Sequence, residues 1–203
     1  MTDPSERFEL RHAATDRPTI VMVPERRLFA IDGVGGPGGS DYALAGETLH
    51  RVGHILGDRL RRERKIATVT PILETAWWTH PEPEPEDLPA AFEDRSTWHW
   101  QQMVELPDRA DEADAVASIA EVQRDMGRPE PLLRVITLTE GRSAQMLHLG
   151  GSASTVATLR ALFDLLASDG LRPHGHVHEL RLVDERAVPA DRVRSILRIP
   201  IED

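Results

Sequence analysis

Pro71-Ile-Leu-Glu-Thr-Ala-Trp-Trp78 is the stretch on which the fold reading turns. A run this apolar is not an ordinary loop. As an extended segment it sends alternate side chains to opposite faces. Glu74, Ala76 and Trp78 then share one face, while Leu73, Thr75 and Trp77 take the other. All four tryptophans lie between positions 77 and 100, although aromatic residues make up only 4% of the chain. Trp98, Trp100 and Gln102 share a face by the same alternation. A carboxylate among indoles suits a flat, apolar or cationic ligand, because rings stack on it while the acid neutralises or hydrogen-bonds it. The same residues also fit a plain reading, with tryptophans as large core residues and Glu74 solvated at an edge.

Composition narrows the classes. At 203 residues the chain suits one domain or two small fused units and can bury a proper core. Hydrophobic residues at 40% and charged residues at 29% are those of a water-soluble globular protein. The 24 basic and 34 acidic residues give a net charge of -10, which argues against nucleic acid as a partner, since phosphate contacts need clustered Lys and Arg. The one basic cluster, Arg59 to Lys65, reads as the C-terminal end of a helix, where cations suit the dipole. Without cysteine there are no disulfides, thiolate nucleophiles or Cys-ligated zinc. No run reaches membrane-spanning length and the polar N-terminus lacks a signal-peptide core, so the expected location is cytoplasmic with no membrane partner.

Along the chain, residues 1–18 read as a polar arm. Thr19–Val23 and Leu28–Ile31 read as strands, and residues 33–39 as a mobile glycine loop. A helix after Asp41 carries Leu49, Val52, Leu56 and Leu60 at helical spacing. Ile66 to Trp78 reads as a strand bent at Pro71, followed by a proline-rich coil over residues 81–89. Trp98 to Leu106 is a further strand. The next helix presents Val116, Ile119, Ala120 and Gln123 on one face and ends near Gly127. Strands over Leu132–Leu138 and Ser143–Leu149 precede a helix lined by Val156, Leu159, Leu162, Phe163 and Leu166 and closed by Gly170. His176–Val183 and Ser195–Ile201 complete the chain. Several connections are too short for parallel crossovers, so the expected class is α+β, a mainly antiparallel sheet with helices on one face.

Three chemical motifs are weak. Gly33-x-Gly35-x-x-Gly38 sits between a strand and a helix, as a dinucleotide fingerprint does, but Pro37 interrupts it and no βαβ units follow. His174-Gly-His176-Val-His178 places alternate imidazoles on one side of a strand without the further ligand and supporting carboxylates of a metal centre. The expectation is no metal and no cofactor. No Gly-x-Ser-x-Gly elbow is present, and Gly150-Gly-Ser-Ala-Ser154 does not replace it.

Phe29-Ala-Ile-Asp-Gly33, the Pro71–Trp78 stretch, Trp98-His-Trp100 with Pro107, Glu140-Gly141, Gln145-Met-Leu-His-Leu-Gly150, His178-Glu179 with Leu182 and Asp184, and Ile196-Leu-Arg-Ile-Pro-Ile201 occur in a characteristic order. Together they resemble the GyrI-like small-molecule-binding proteins in stand-alone form, over about Thr19 to Ile201. The resemblance implies one domain of two strand–helix–strand–strand halves, about 19–97 and 98–201, forming one concave sheet. It implies a pocket with Glu179 as the central acid, accompanied by Glu74, Trp77, Trp78, Trp98 and Trp100. Some stand-alone members look like hydrolases that open the cyclopropane of DNA-alkylating natural products in self-resistance or detoxification. Others are similar to multidrug-binding modules without chemistry.

The chain departs from the family pattern at its phenols: Ser152, Arg181 and His50 stand at tyrosine positions, and Tyr42 is the only tyrosine. His50, His148 and Arg181 are candidates to take over ligand contacts. The resulting expectation is a site for a planar hydrophobic or cationic small molecule, with Glu179 and Glu74 in one cavity acting on water. The alternative is a non-catalytic sequestering module. Oligomeric state is not legible in the sequence.

Overall fold

A computed structural model describes residues 12–126, 133–151, 154–183 and 188–202. Its strands are β1 (Thr19–Val23), β2 (Arg26–Val34), β3 (Leu73–Trp78), β4 (His99–Glu105), β5 (Arg134–Leu138), β6 (Gly141–Leu149), β7 (Val177–Arg181) and β8 (Arg194–Pro200). Among the described residues four α-helices join them: α1 (Ser40–Arg64), the short α2 (Leu88–Ala91), α3 (Glu112–Asp125) and α4 (Thr155–Ser168). The strands form one open antiparallel sheet in the order β1-β6-β8-β7-β3-β4-β2-β5. The class is therefore α+β, as the short connections predict.

The inner six strands read the same from either side. β2-α1-β3-β4 forms one strand–helix–strand–strand unit and β6-α4-β7-β8 the other, meeting where β3 pairs with β7. In this grouping β4 closes the first unit. α1 lies over β2, β3 and β4, and α4 over β6 and β8.

The main core fills the space between sheet and helices. Leu49, Val52, Leu56 and Leu60 of α1 are fully buried, as their spacing predicts, against Phe29, Ile31 and Val104 of the sheet. Each such side chain contributes about 1.5–3 kcal/mol by leaving water. Leu159, Leu162, Phe163 and Leu166 do the same for α4. A smaller apolar cluster of Leu28, Ala30, Ala76 and Met103 lies on the other face of the sheet.

Three local expectations need correction. The strand at 66–78 is confined to Leu73–Trp78, because Thr68 and Pro71 instead pack onto α1 at Gly57 and Gly53. The buried face of α3 is Asp114, Ala115, Ser118 and Val122, while Val116 is 58% exposed. Small residues bring α3 close to α1, and a reciprocal Asp111–Asp114 capping box sets its start. Gly33 belongs to β2, not to a loop: a Cβ there would lie 2.1 Å from the Trp100 ring, so this glycine makes room for the indole. Gly127, Leu132, Ser152 and Asp184, named in the sequence reading, lie outside the described residues.

Candidate ligand-binding site

β3 and β7 adjoin at the centre of the sheet, and their register decides which side chains meet. Thr75 is opposite Glu179, Leu73 opposite Arg181 and Trp77 opposite Val177, so these six share the face that carries the helices. Gln102 and Trp100 of β4 join them through their pairing with Thr75 and Trp77. Glu74 pairs with Leu180 and points the other way. The expected single cavity for Glu74 and Glu179 therefore does not form, because the register sets Thr75, not Glu74, beside Glu179.

On the helix side the aromatic rings interlock. Tyr42 of α1 stacks on Trp77 at 5.3 Å and 19°, and meets Trp100 edge-on at 5.3 Å. Phe92 sets its edge to Trp77 and to Trp98 at 6.4 and 5.5 Å. The Tyr42 hydroxyl lies 3.1 Å from Thr75 Oγ1 and accepts a hydrogen bond from Arg181 Nη2 at 2.8 Å. Burial pushes the Tyr42 phenol above its usual value, and the charge of Glu179 adds to this against the opposing charge of Arg181. Trp77 and Trp100, each 1% exposed, bury an indole N–H with no acceptor among the described residues.

Glu179 is 3% exposed and its partner is Arg95, which donates from Nη1 to Oε2 at 3.1 Å. The same guanidinium lies 4.5 Å from the Trp77 ring centre and 4.2 Å from that of Phe92. A buried acid and aromatic faces thus hold a flat, delocalised cation supplied by the chain itself.

The opposite face carries a separate buried ion cluster. Arg26 donates to both oxygens of Glu74, at 2.8 and 3.1 Å, and to Glu140. His178 Nδ1 lies 2.6 Å from Glu74, and Arg198 reaches Glu140 and Gln145. Burial pushes the Glu74 carboxyl up, but the charge of Arg26 and the His178 contact outweigh it and hold it well below the usual range. That makes it a weak base. One donor atom from each of Glu74, Glu140 and His178 lies within 4.8 Å of the others, which is metal-ligand spacing. Arg26 bridges both carboxylates, so a cation there competes with a guanidinium already in place.

The remaining sequence candidates fall elsewhere. Trp78 is on the Glu74 face, stacked on His99 at 5.7 Å and His176 at 4.6 Å. His148 is buried on β6 beneath α4, 2.8 Å from Thr158 Oγ1 and 3.2 Å from Ser154 Oγ. His50 is half-buried on α1. Of the candidates, Glu179, Trp77, Trp98, Trp100 and Arg181 come together with the ring set. Tyr42, Thr75, Phe92 and Arg95 join them without having been singled out. The signal for Arg95 was its place midway between Phe92 and Trp98, and for Tyr42 its uniqueness.

No protein-family model matches the sequence, and no curated protein matches it. Among solved structures the chain is similar to an uncharacterized conserved protein from Listeria innocua, with TM-score 0.85 and 23% identity over 100% of each chain. It is also similar to a hydrolase from Listeria innocua, with TM-score 0.81 and 22% identity over 100% of each chain. The C-terminal domain of EcmrR is more distant, with TM-score 0.57 and 8% identity over 92% of this chain and 98% of that one. These likenesses define a shared fold. No helix among the described residues is long and apolar enough to cross a membrane.

Proposed function

We propose that this chain is a stand-alone GyrI-like small-molecule-binding protein, one domain of two repeat units. It takes a planar, largely apolar molecule over β3 and β7 on the helix-bearing face. The observation that carries this reading is the Arg95 guanidinium held between Glu179 and the faces of Trp77 and Phe92. A site that grips one flat group in this way is built for flat groups. The two unpartnered indole N–H donors favour a ligand with acceptor oxygens.

The same geometry supports hydrolysis of an electrophile whose strained ring is conjugated to a carbonyl, such as a cyclopropanoid. Arg95 holds Glu179 Oε2 and leaves Oε1 to take a proton from water. The water oxygen bonds to the ring carbon, the strained C–C bond breaks, and its electron pair passes to the carbonyl oxygen. Tyr42, kept protonated by burial, donates to that oxygen and is reprotonated from Glu179 through solvent. The hydrolase among the fold neighbours supports this by analogy. A non-catalytic, sequestering role is favoured by one observation, that Glu179 is already paired.

Incubation with a cyclopropanoid and mass analysis for the water adduct separates these readings. Glu179→Gln should lower turnover by about 10²–10⁴-fold, the usual worth of a general base. Binding of a neutral planar ligand should change little, because the rings supply most of that contact. Absence of a water adduct with intact binding leaves the sequestering role. Unchanged turnover and binding in the variant would remove Glu179 from the centre of the site.

A further inference from the structure

We propose that Arg95 is the charge-selectivity element of this site, an internal occupant of its cation position that makes planar cations compete for Glu179. The inference rests on the ligand-binding reading above. The guanidinium satisfies, one by one, the demands a cationic aromatic ligand would meet. It forms an ion pair with a 3%-exposed carboxylate, lies over the Trp77 and Phe92 rings, and is itself only 5% exposed.

Arg95 comes from a short covering segment. α2 ends at Ala91, Phe92 and Trp98 anchor the segment through their rings, and Arg95 lies between these anchors. The Asp94 side chain accepts from the Ser96 N–H and the Arg95 carbonyl accepts from the Trp98 N–H, so a tight turn presents the side chain to Glu179. β7, which carries Glu179, is paired on both edges and has no comparable freedom. If one partner moves, it is Arg95.

The consequence differs with ligand charge. A neutral planar molecule uses the ring surface that Tyr42 and Arg95 do not cover, together with the indole donors, while Arg95 keeps its pair with Glu179, so no buried charge is left alone. A planar cation gains from Glu179 only by expelling Arg95, and it loses affinity by the strength of the pair it breaks. The site of this chain therefore prefers neutral, acceptor-bearing planar ligands over cations of the same size. Residue 95 sets that preference.

The test uses the full chain, with ethidium as planar cation and anthraquinone-2-carboxamide as neutral planar acceptor, read by tryptophan quenching. Wild type should bind the neutral probe more tightly than ethidium. Arg95→Ala should raise ethidium affinity by roughly tenfold or more, the scale of one desolvated cation–π and ion-pair contact. The neutral probe should shift far less. The gain should vanish in Arg95→Ala with Glu179→Gln, and added methylguanidinium should compete with ethidium in the single variant. In wild type, ethidium but not the neutral probe should speed amide exchange over residues 92–98, a readout that needs no variant to fold. Equal wild-type affinities, or neutral binding with no ethidium gain in a folded Arg95→Ala, would overturn the Arg95 assignment and leave the ligand-binding reading standing. No quenching by either probe in any protein would overturn the ligand-binding reading and this inference with it.

Discussion

Glu74 and Glu179 stand on opposite faces of one antiparallel ladder, Glu74 across from Leu180 and Glu179 across from Thr75. One residue of register thus separates an acid locked into an ion cluster from an acid set among aromatic rings. The two glutamates should answer differently to the same substitution.

Glu74→Gln should act on stability. It leaves Arg26 buried without its bidentate partner, and breaking such a pair costs about 3–5 kcal/mol. Urea melts measure the loss, while binding at Glu179 should persist in the folded fraction. The sign of the pH effect follows from the lowered Glu74 pKa. Its contribution is present above the usual value of 4.5 and is lost as pH falls toward the folded value. Wild type should weaken below about pH 4.5 more steeply than the variant. Parallel slopes would contradict the ion cluster.

Tyr42 should titrate above 10, its usual value, because burial holds the proton on. It is the only tyrosine, so phenolate absorbance reports it alone. A folded pKa above the unfolded one adds stability below about pH 10 that is lost as pH rises toward the folded value. Tyr42→Phe should cost about 0.5–3 kcal/mol through the lost contacts to Thr75 and Arg181, and should flatten that alkaline decline.

Gly33→Ala should disturb the site through packing. The added methyl meets Trp100 at 2.1 Å, and overpacking of this kind costs about 1–3 kcal/mol. Gly38→Ala, where nothing lies within 4 Å, should be nearly neutral. Thermal melts of the pair check whether the glycine run serves the indole. Equal melting temperatures would deny it.

The Pro71–Trp78 alternation was readable because a strand's two-residue period needs no tertiary information: Thr75 and Trp77 do face one way, Glu74 and Trp78 the other. What alternation cannot give is the phase of one strand against its neighbour. That phase set Thr75 rather than Glu74 beside Glu179. The helical stripe Leu49–Leu60 was legible because it is long and apolar, whereas α3 hid its buried face behind small residues such as Ala115 and Ser118. The position of Arg95 between Phe92 and Trp98 was visible, but its pairing was not, because that depends on an acid 84 residues away, joined only by the fold.

Trp78 supplies an optical test of the two faces. Its indole stacks on His176 at 4.6 Å and 17° and on His99 at 5.7 Å and 14°, away from the Tyr42 ring set. Burial lowers the His176 pKa from 6.5, and the charges of His178 and His80 lower it further against the opposing charge of Glu82. The imidazole therefore stays neutral at pH 7 and gains its proton only below 6.5. An imidazolium stacked on an indole quenches its emission, so tryptophan fluorescence should fall as the pH drops from 7 to 5. Trp78→Phe should remove most of that fall, and His176→Gln should do the same by deleting the proton acceptor. Neither substitution should change ligand affinity at Glu179 by more than about twofold, since neither side chain reaches the helix-bearing face. Loss of binding in Trp78→Phe, with Trp77→Phe silent, would reverse the assignment of faces and place the ligand site on the side of Glu74 and His178.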